Sequence, residues 1–154
     1  MNLPRGITGF RDINDPPLPV TDYADFRGAC YEAARTLAGR VRSTAPAYDS
    51  SVANYARADV ELPDAPISIL LNAHFPVIAF ARPHSQNGSP LTFVDFPELA
   101  SLLRSSGAYE VWSAADLSSP VTPECCQRLA TAELDQVKYW KPGTVGEVAF
   151  NCWD

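Results

Sequence analysis

Long apolar runs are missing from this chain of 154 residues. The longest, residues 67–81, contains Asn72, His74 and Pro76 and is shorter than the ~20 residues that a membrane helix needs. The first twenty residues lack the apolar core of a signal peptide, because Pro4 and Asp12 interrupt them. We therefore expect a cytoplasmic protein that has no membrane partner.

Histidine and cysteine are scarce, and neither is spaced as metal ligands usually are. The two histidines, His74 and His84, lack the i, i+4 or H-x3–5-H spacing that places two imidazoles on one metal ion. The four cysteines contain no C-x-x-C pair, and we expect them to be reduced and buried. Nucleophile-elbow and phosphate-loop motifs are also absent. The sequence thus predicts a protein without a metal ion or a cofactor.

Basic residues are too few for a nucleic-acid-binding protein. Twelve Lys and Arg against eighteen Asp and Glu give a net charge of -6, and phosphate binding needs the opposite sign. The acidic excess lies after residue 51, where Asp59, Glu61 and Asp64 are close in sequence. Period-2 alternation places Asp59 and Glu61 on one face of a predicted strand. Such a face either prevents aggregation at a sheet edge or steers a basic protein partner, and both interpretations stay open.

Apolar periodicity predicts one α+β domain over residues 1–154. A proline-rich, extended N-terminal segment over 1–20 precedes an amphipathic helix over 21–42. Short apolar runs separated by turns predict an antiparallel β-meander between residues 58 and 95. Further helices over 96–107 and 122–140, with a strand over 108–113 between them, bring the helices packed on the sheet to about three. The alternation of Val148, Phe150 and Cys152 predicts that the chain ends in a strand of this sheet.

Aromatic side chains are concentrated in the C-terminal third of the chain, at Trp112, Tyr139, Trp140 and Trp153. Tryptophan and tyrosine are enriched at interaction hot spots, although they also complete the cores of small domains. The candidate partner-binding residues are therefore Asp59, Glu61, Asp64, Trp112, Tyr139 and Trp140.

Two segments of the chain carry a more specific pattern. Residues Glu133–Asp154 read ELDQVKYWKPGTVGEVAFNCWD, and residues Leu3–Phe10 read LPRGITGF. They resemble small bacterial immunity proteins of polymorphic or contact-delivered toxin systems, whose ending looks like YWKP-x-T-x-GE-x-x-FN-x-WD. Cys152 stands where that pattern has an aromatic or apolar residue. The resemblance implies a non-enzymatic protein that binds and neutralises a cognate toxin.

Two other functions stay open beside this one. The first is a small enzyme or ligand-binding domain with a pocket near His74 and His84 that uses carboxylates such as Asp95. The second is a structural subunit that forms a homodimer by pairing an exposed sheet edge. For the immunity function, an acidic surface would suit a basic toxin, because opposite charges accelerate association.

Overall fold

The computed structural model describes residues 1–83 and 90–154, in which helices pack on both faces of a largely antiparallel sheet. The predicted α+β class is confirmed. No helix in these two ranges has both the length and the apolar composition that crossing a bilayer requires. In chain order the elements are α1 (Tyr23–Thr36), β1 (Arg40–Ala45), β2 (Tyr55–Glu61), β3 (Pro66–Asn72), β4 (Val77–Ala81), β5 (Phe93–Val94), α2 (Pro97–Arg104), β6 (Glu110–Val111), α3 (Ala114–Leu117), α4 (Thr131–Trp140) and α5 (Val145–Ala149).

The sheet follows the predicted meander, with one parallel addition. Strands β1 to β5 lie in sequence order, and each is antiparallel to the next. Strand β6 instead runs parallel to β4 and pairs with Val77 and Ile78, whereas β5 pairs with Phe80 and Ala81. Since β3 occupies one edge of β4, the two short strands share the other edge.

One face of the sheet, which we call the helix face, is covered by α1 and α2. Alternate residues of β2, β3 and β4 are directed to this face and pack against the apolar sides of the helices. Asp22 caps α1 by accepting a hydrogen bond from Asp25 N, and Pro97 begins α2. The buried residues of this layer are Phe26, Cys30, Ala33, Ala34, Ala56, Ala58, Val60, Leu62, Ile67, Ile69, Leu71, Ile78, Phe80, Leu99, Ala100, Leu103 and Val111.

The opposite face, which we call the terminus face, is covered by the two ends of the chain. Leu70 and Ala79 of the sheet lie beneath them. The cover reaches Tyr55 at the start of β2, but Arg57 and Asp59 further along the strand are only partly buried. The terminus face is thus apolar under the chain ends and polar beyond them. The ends contribute Leu3, Ile7, Leu117, Cys125, Cys126, Leu129, Val145, Val148, Ala149 and Phe150.

The predicted C-terminal strand is wrong. Residues Val145–Ala149 form helix α5, and residues 150–154 belong to no strand. Thr144 caps the helix, since its hydroxyl accepts a hydrogen bond from Glu147 N at 3.3 Å. In so short a segment, the same apolar residues fit both the alternation of a strand and the spacing of a helix. The cap at Thr144 favours the helix.

Helix α1 ends earlier than predicted. It stops at Thr36 in a Schellman turn, in which Gly39 N donates to Ala34 O and Ala38 takes a left-handed conformation with φ of 60°. A Cβ atom at Gly39 would collide with the carbonyl oxygen of Glu61 in β2, so this position needs glycine. The turn lets residues 40–45 join the sheet as β1 instead of continuing the helix to residue 42.

The predicted helix over 122–140 is shorter in the structure. Residues 123–128 form turns, and only Thr131–Trp140 is helical. Ala130 has an extended backbone, and its N–H donates to the side chain of Glu133 at 3.0 Å. The carboxylate thereby satisfies an N–H group at the helix start and fixes where α4 begins. The described helices number five instead of about three, with α3 and α5 as the additions.

The N-terminal segment, residues 1–20, contains no helix or strand but is more than an extended approach. It turns at residues 5–8, where Gly6 has φ of 98°. Leu3 and Ile7 are fully buried. The segment is therefore a docked part of the cover on the terminus face.

Candidate functional site

Asp59, the first of the predicted acidic residues, is held by neighbours on its own sheet. Its carboxylate accepts hydrogen bonds from Arg57 at 2.9–3.1 Å, from the Ser68 hydroxyl at 2.6 Å and from the Ser43 hydroxyl at 3.1 Å. Burial alone would raise the pKa of Asp59, but these hydrogen bonds and the positive charge of Arg57 outweigh it. The pKa of Asp59 therefore lies below its usual value.

Glu61 is shared by two arginines because β1 contains a bulge. The register shifts within the strand, and Arg42 is the extra residue. Arg40 and Arg42 both contact the same Oε2 atom of Glu61, at 3.1 and 3.3 Å. Asp64 lies exposed in the turn between β2 and β3. Two of the three predicted acidic residues thus form ion pairs with arginines, so the three do not make an unpaired acidic patch.

Trp112, the first of the predicted aromatic residues, lies in the core. Only 6% of its surface is exposed, and its indole Nε1 donates to Glu110 Oε1 at 3.1 Å. Its ring packs among the residues of the terminus-face cover. A partner cannot reach this side chain without disturbing the fold, so Trp112 is a structural residue of the core.

Tyr139 and Trp140, at the end of α4, are exposed, with 76% and 37% of their surfaces accessible. The Tyr139 ring meets Trp140 edge to face at 5.2 Å, and the Trp140 and Trp153 planes are nearly parallel with centroids 6.3 Å apart. Trp140 Nε1 donates to Gln136 Oε1 at 3.0 Å, which fixes the orientation of the indole. We call Tyr139, Trp140 and Trp153 the aromatic patch.

A groove of about 250 Å³ lies beside the aromatic patch. Charged side chains at the groove are Lys141 and Glu147, and Tyr55 of β2 forms part of its wall. Trp153, which lines the groove, is not among the predicted partner-binding residues. The sequence shows only that Trp153 lies, like Trp140, in the aromatic-rich C-terminal third. The contact between the two rings forms only in the folded chain. The groove is lined by Tyr55, Pro90, Leu91, Phe93, Trp140, Lys141, Pro142, Glu147, Phe150, Asn151, Cys152 and Trp153.

Helix α4, which carries the aromatic patch, is fastened to the N-terminal segment by Glu133. This carboxylate is fully buried and accepts hydrogen bonds from Gly6 N at 2.8 Å, Thr8 N at 3.1 Å and the Thr8 hydroxyl at 2.6 Å. Ala130 N is a fourth donor. A buried carboxylate needs such a set of donors, because burial removes its hydration. The contact joins the start of the chain to the first turn of α4.

Three buried asparagines complete the attachment of the chain ends to the sheet. Asn54 and Asn72 each donate to the carbonyl oxygens of Ile7 and Ala149 at distances of 2.8–3.1 Å. Asn151 donates to Thr8 O at 3.1 Å, and its own N–H donates to Asn54 Oδ1 at 2.8 Å. The N-terminal segment, α5 and the sheet are therefore connected by one buried hydrogen-bond network.

The alternative site near His74 has its polar groups engaged in structural contacts. The Nδ1 atom of His74 lies 2.8 Å from Pro19 O, and its Nε2 atom lies 3.1 Å from the Tyr48 hydroxyl. Asp95 accepts a hydrogen bond from Ala114 N, the first N–H group of α3, at 2.8 Å. The other predicted residue, His84, lies outside the described residues. Within residues 1–83 and 90–154, no three His, Cys, Asp or Glu side chains gather as a metal site.

The cysteines are free thiols, and three of them are buried. Burial raises the pKa of Cys30 to about 12. Burial, together with the hydrogen bond and charge of Cys125, raises the pKa of Cys126 to about 11. A raised thiol pKa lowers the fraction of thiolate, which is the nucleophilic form. These side chains act as small apolar residues of the core.

No protein-family model, curated protein or solved structure matches the chain. The resemblance of its two terminal segments to immunity proteins therefore stays a prediction. In the structure, the two segments are joined by the hydrogen bonds of Glu133 and Asn151 to the N-terminal backbone. The C-terminal segment also contains the aromatic patch.

Proposed function

We propose that this chain is a non-enzymatic binding protein that neutralises a cognate bacterial toxin by covering its functional surface. The observation that carries the proposal is the exposure of Tyr139 and Trp140 beside a groove. Exposed large aromatic side chains that adjoin a groove are typical of interaction hot spots. The toxin is the partner class that the resemblance implies.

The aromatic patch is arranged before any partner binds. The Trp140 ring is fixed by its hydrogen bond to Gln136 and by its contacts with Tyr139 and Trp153. Helix α4 is in turn anchored through buried Glu133. A preorganised side chain loses little conformational entropy on binding, so more of its contact energy contributes to affinity.

The side chains that the alternative enzyme function would use have structural partners. Both ring nitrogens of His74 and the Asp95 carboxylate hold backbone or side-chain groups in place. Burial raises the pKa of Cys30 and of Cys126. These contacts favour a binding function over catalysis by the predicted His74 pocket.

Self-association through the outer strand β1 is less favoured. Its bulge interrupts regular pairing, and Arg40 and Arg42 place two charges along the strand. Bulges and charged side chains are devices that keep sheet edges from pairing with another chain. The proposed docking surface is therefore the aromatic patch and not the sheet edge.

The test is coexpression with a candidate toxin, for which the product of the gene next to that of this chain is the first choice. Wild-type protein should protect cells and form a complex with the toxin in size-exclusion chromatography. A double variant, Tyr139→Ala with Trp140→Ala, should weaken binding by about 1,000-fold, because hot-spot truncations cost about 2 kcal/mol or more each and every 1.4 kcal/mol is tenfold in affinity.

Tyr31 provides the matched control, because it is an exposed aromatic residue of α1, which covers the other face of the sheet. Tyr31→Ala should bind the toxin like wild-type protein, and all variants should keep the wild-type melting temperature. A wild-type protein that neither protects nor binds would overturn the proposed function. Full binding by the double variant would move the docking surface elsewhere.

A further inference from the structure

Three carboxylates without ion pairs lie next to members of the aromatic patch, either along the chain or at the groove. Asp135 lies four residues before Tyr139 on α4, so the two exposed side chains neighbour each other on one side of the helix. Glu147 lines the groove together with Trp140 and Trp153, and Asp154 directly follows Trp153. In the described residues, none of these three carboxylates forms an ion pair.

The ion pairs of the described chain all lie elsewhere. They join Arg5 to Asp15, Arg40 and Arg42 to Glu61, and Arg57 to Asp59. Two ammonium groups, those of Lys138 and Lys141, share the surface with the three carboxylates. These five charged groups sum to -1, the same sign as the net charge of -6.

We propose that the aromatic patch and its three carboxylates receive an arginine-bearing segment of the partner protein. A guanidinium group stacks favourably on the face of an indole or phenol ring, and nearby carboxylates accept its hydrogen bonds. The proposal rests on the proposed function, to which it adds the chemistry of the docking segment.

The charges favour this occupant over an apolar or an acidic segment. An apolar segment would remove water from Asp135, Glu147 and Asp154 without replacing its hydrogen bonds. An acidic segment would meet like charges, and this repulsion disfavours its binding. Arginine suits the patch better than lysine, because its planar group stacks on a ring while its N–H groups remain directed to carboxylates.

Glu147 already accepts one backbone hydrogen bond but can still accept others from such a segment. Its Oε2 atom accepts a hydrogen bond from Gly143 N at 2.6 Å, which holds the carboxylate at the groove. A carboxylate oxygen has more than one acceptor site, so a guanidinium can bind without displacing this backbone contact. The side chain is therefore positioned by the turn before α5.

The first experiment uses a fluorescein-labelled hexa-arginine peptide and fluorescence anisotropy at low and physiological salt. Hexa-lysine should bind more weakly, and hexa-glutamate and a proline-leucine peptide should not bind. Trp140→Leu keeps an apolar side chain but removes the aromatic face, and it should weaken hexa-arginine binding by about fivefold. A higher affinity for the proline-leucine peptide would show an apolar docking site and overturn the inference.

Charge variants separate a local effect from the total charge. The triple variant Asp135→Asn, Glu147→Gln and Asp154→Asn should weaken hexa-arginine binding about tenfold. The control Asp25→Asn, Glu32→Gln and Glu98→Gln has the same change in charge, but its three exposed side chains lie on the α1 and α2 layer. The control should change binding less than twofold. Equal losses in the two triple variants would show non-specific attraction and contradict the proposal.

The same variants distinguish this inference from the proposed function. If wild-type protein neutralises the candidate toxin and the Asp135, Glu147 and Asp154 variant is equally effective, the arginine-binding site is wrong while the toxin-binding function stands. If hexa-arginine binds as described but the toxin is neither bound nor neutralised, the arginine-binding site stands and the toxin-binding function is wrong.

Discussion

The two covers of the sheet are built by different interactions. On the helix face, α1 and α2 bury apolar side chains such as Phe26 and Leu99 against the strands. On the terminus face, apolar contacts are joined by the buried network of Glu133, Asn54 and Asn72. The stability of an apolar layer falls in proportion to the volume that a substitution removes. A buried polar network instead leaves polar groups unpaired when one member is lost. Because the aromatic patch belongs to the second cover, its position depends on that network.

The largest expected effect is from removing part of the second cover. Deletion of residues 145–154 would eliminate buried Val148 and Phe150, each contributing roughly 1.5–3 kcal/mol, and the hydrogen bonds of Asn151. Together these losses consume most of a typical domain stability of about 5–15 kcal/mol. We expect the truncated protein to lose its cooperative melting transition by circular dichroism. A transition like that of the full-length chain would show that the two covers are independent.

A single change at Glu133 should have the next largest effect. Glu133→Ala would leave the N–H groups of Gly6, Thr8 and Ala130 without their acceptor, at about 1–3 kcal/mol each. We expect a loss of at least about 3 kcal/mol in urea unfolding. Asp135→Ala changes an exposed carboxylate of the same helix and should cost less than about 0.5 kcal/mol. Equal effects of the two substitutions would contradict the anchoring function of Glu133.

The sequence predicts the helix face better than the terminus face, for a physical reason. The spacing of Phe26, Cys30 and Ala33 in α1 is local, and so are the apolar runs of the meander, because periodicity is a property of neighbouring residues. The apolar spacing of α1 continues to Val41, beyond the end of the helix, so it predicts helix where the Schellman turn and β1 are found. At α5, the pattern Thr-x-x-Glu at Thr144 is a local helix-start signal that competes with alternation.

The candidate site depends on contacts that no local pattern contains. The stacking of Trp140 on Trp153 and the ion pair of Arg42 with Glu61 join residues brought together by folding. Exposure of Tyr139 could be anticipated from its position on α4, opposite the residues that pack inward. The pairing of Asp59 with Arg57 is the exception, since period-2 alternation places both on one face of β2.

The helix face should respond weakly to a small core change. Ile69→Val removes one methyl group from a fully buried side chain and should cost about 0.5–1.5 kcal/mol in urea unfolding. Binding of the toxin or of hexa-arginine should be unchanged when most of the protein is folded. A change in binding beyond the loss of folded protein would show that the helix face also positions the aromatic patch.

The smallest effect concerns the polar part of the terminus face and depends on pH. The pKa of folded Asp59 is lowered, so its ionised form adds stability above the unfolded pKa near 3.9, and this is lost as pH falls through the folded pKa. Asp59→Asn should therefore reduce stability at neutral pH by about 1 kcal/mol or less. The difference between wild-type protein and variant should shrink as acid is added, as measured by urea unfolding at pH 7 and below pH 4. A difference independent of pH would exclude the carboxylate charge as its source.

The contact between Glu133 and the start of the chain sets an order of events during synthesis. Its partners Gly6 and Thr8 are 127 and 125 positions away, so they leave the ribosome long before the carboxylate that they bind. At translation rates of about 5–20 residues per second, this interval is on the order of 6–25 seconds. Contacts of such long range also slow the search for the native topology. The N-terminal segment therefore lacks its acceptor Glu133 during most of synthesis. The aromatic patch reaches its binding geometry only after α4 has emerged.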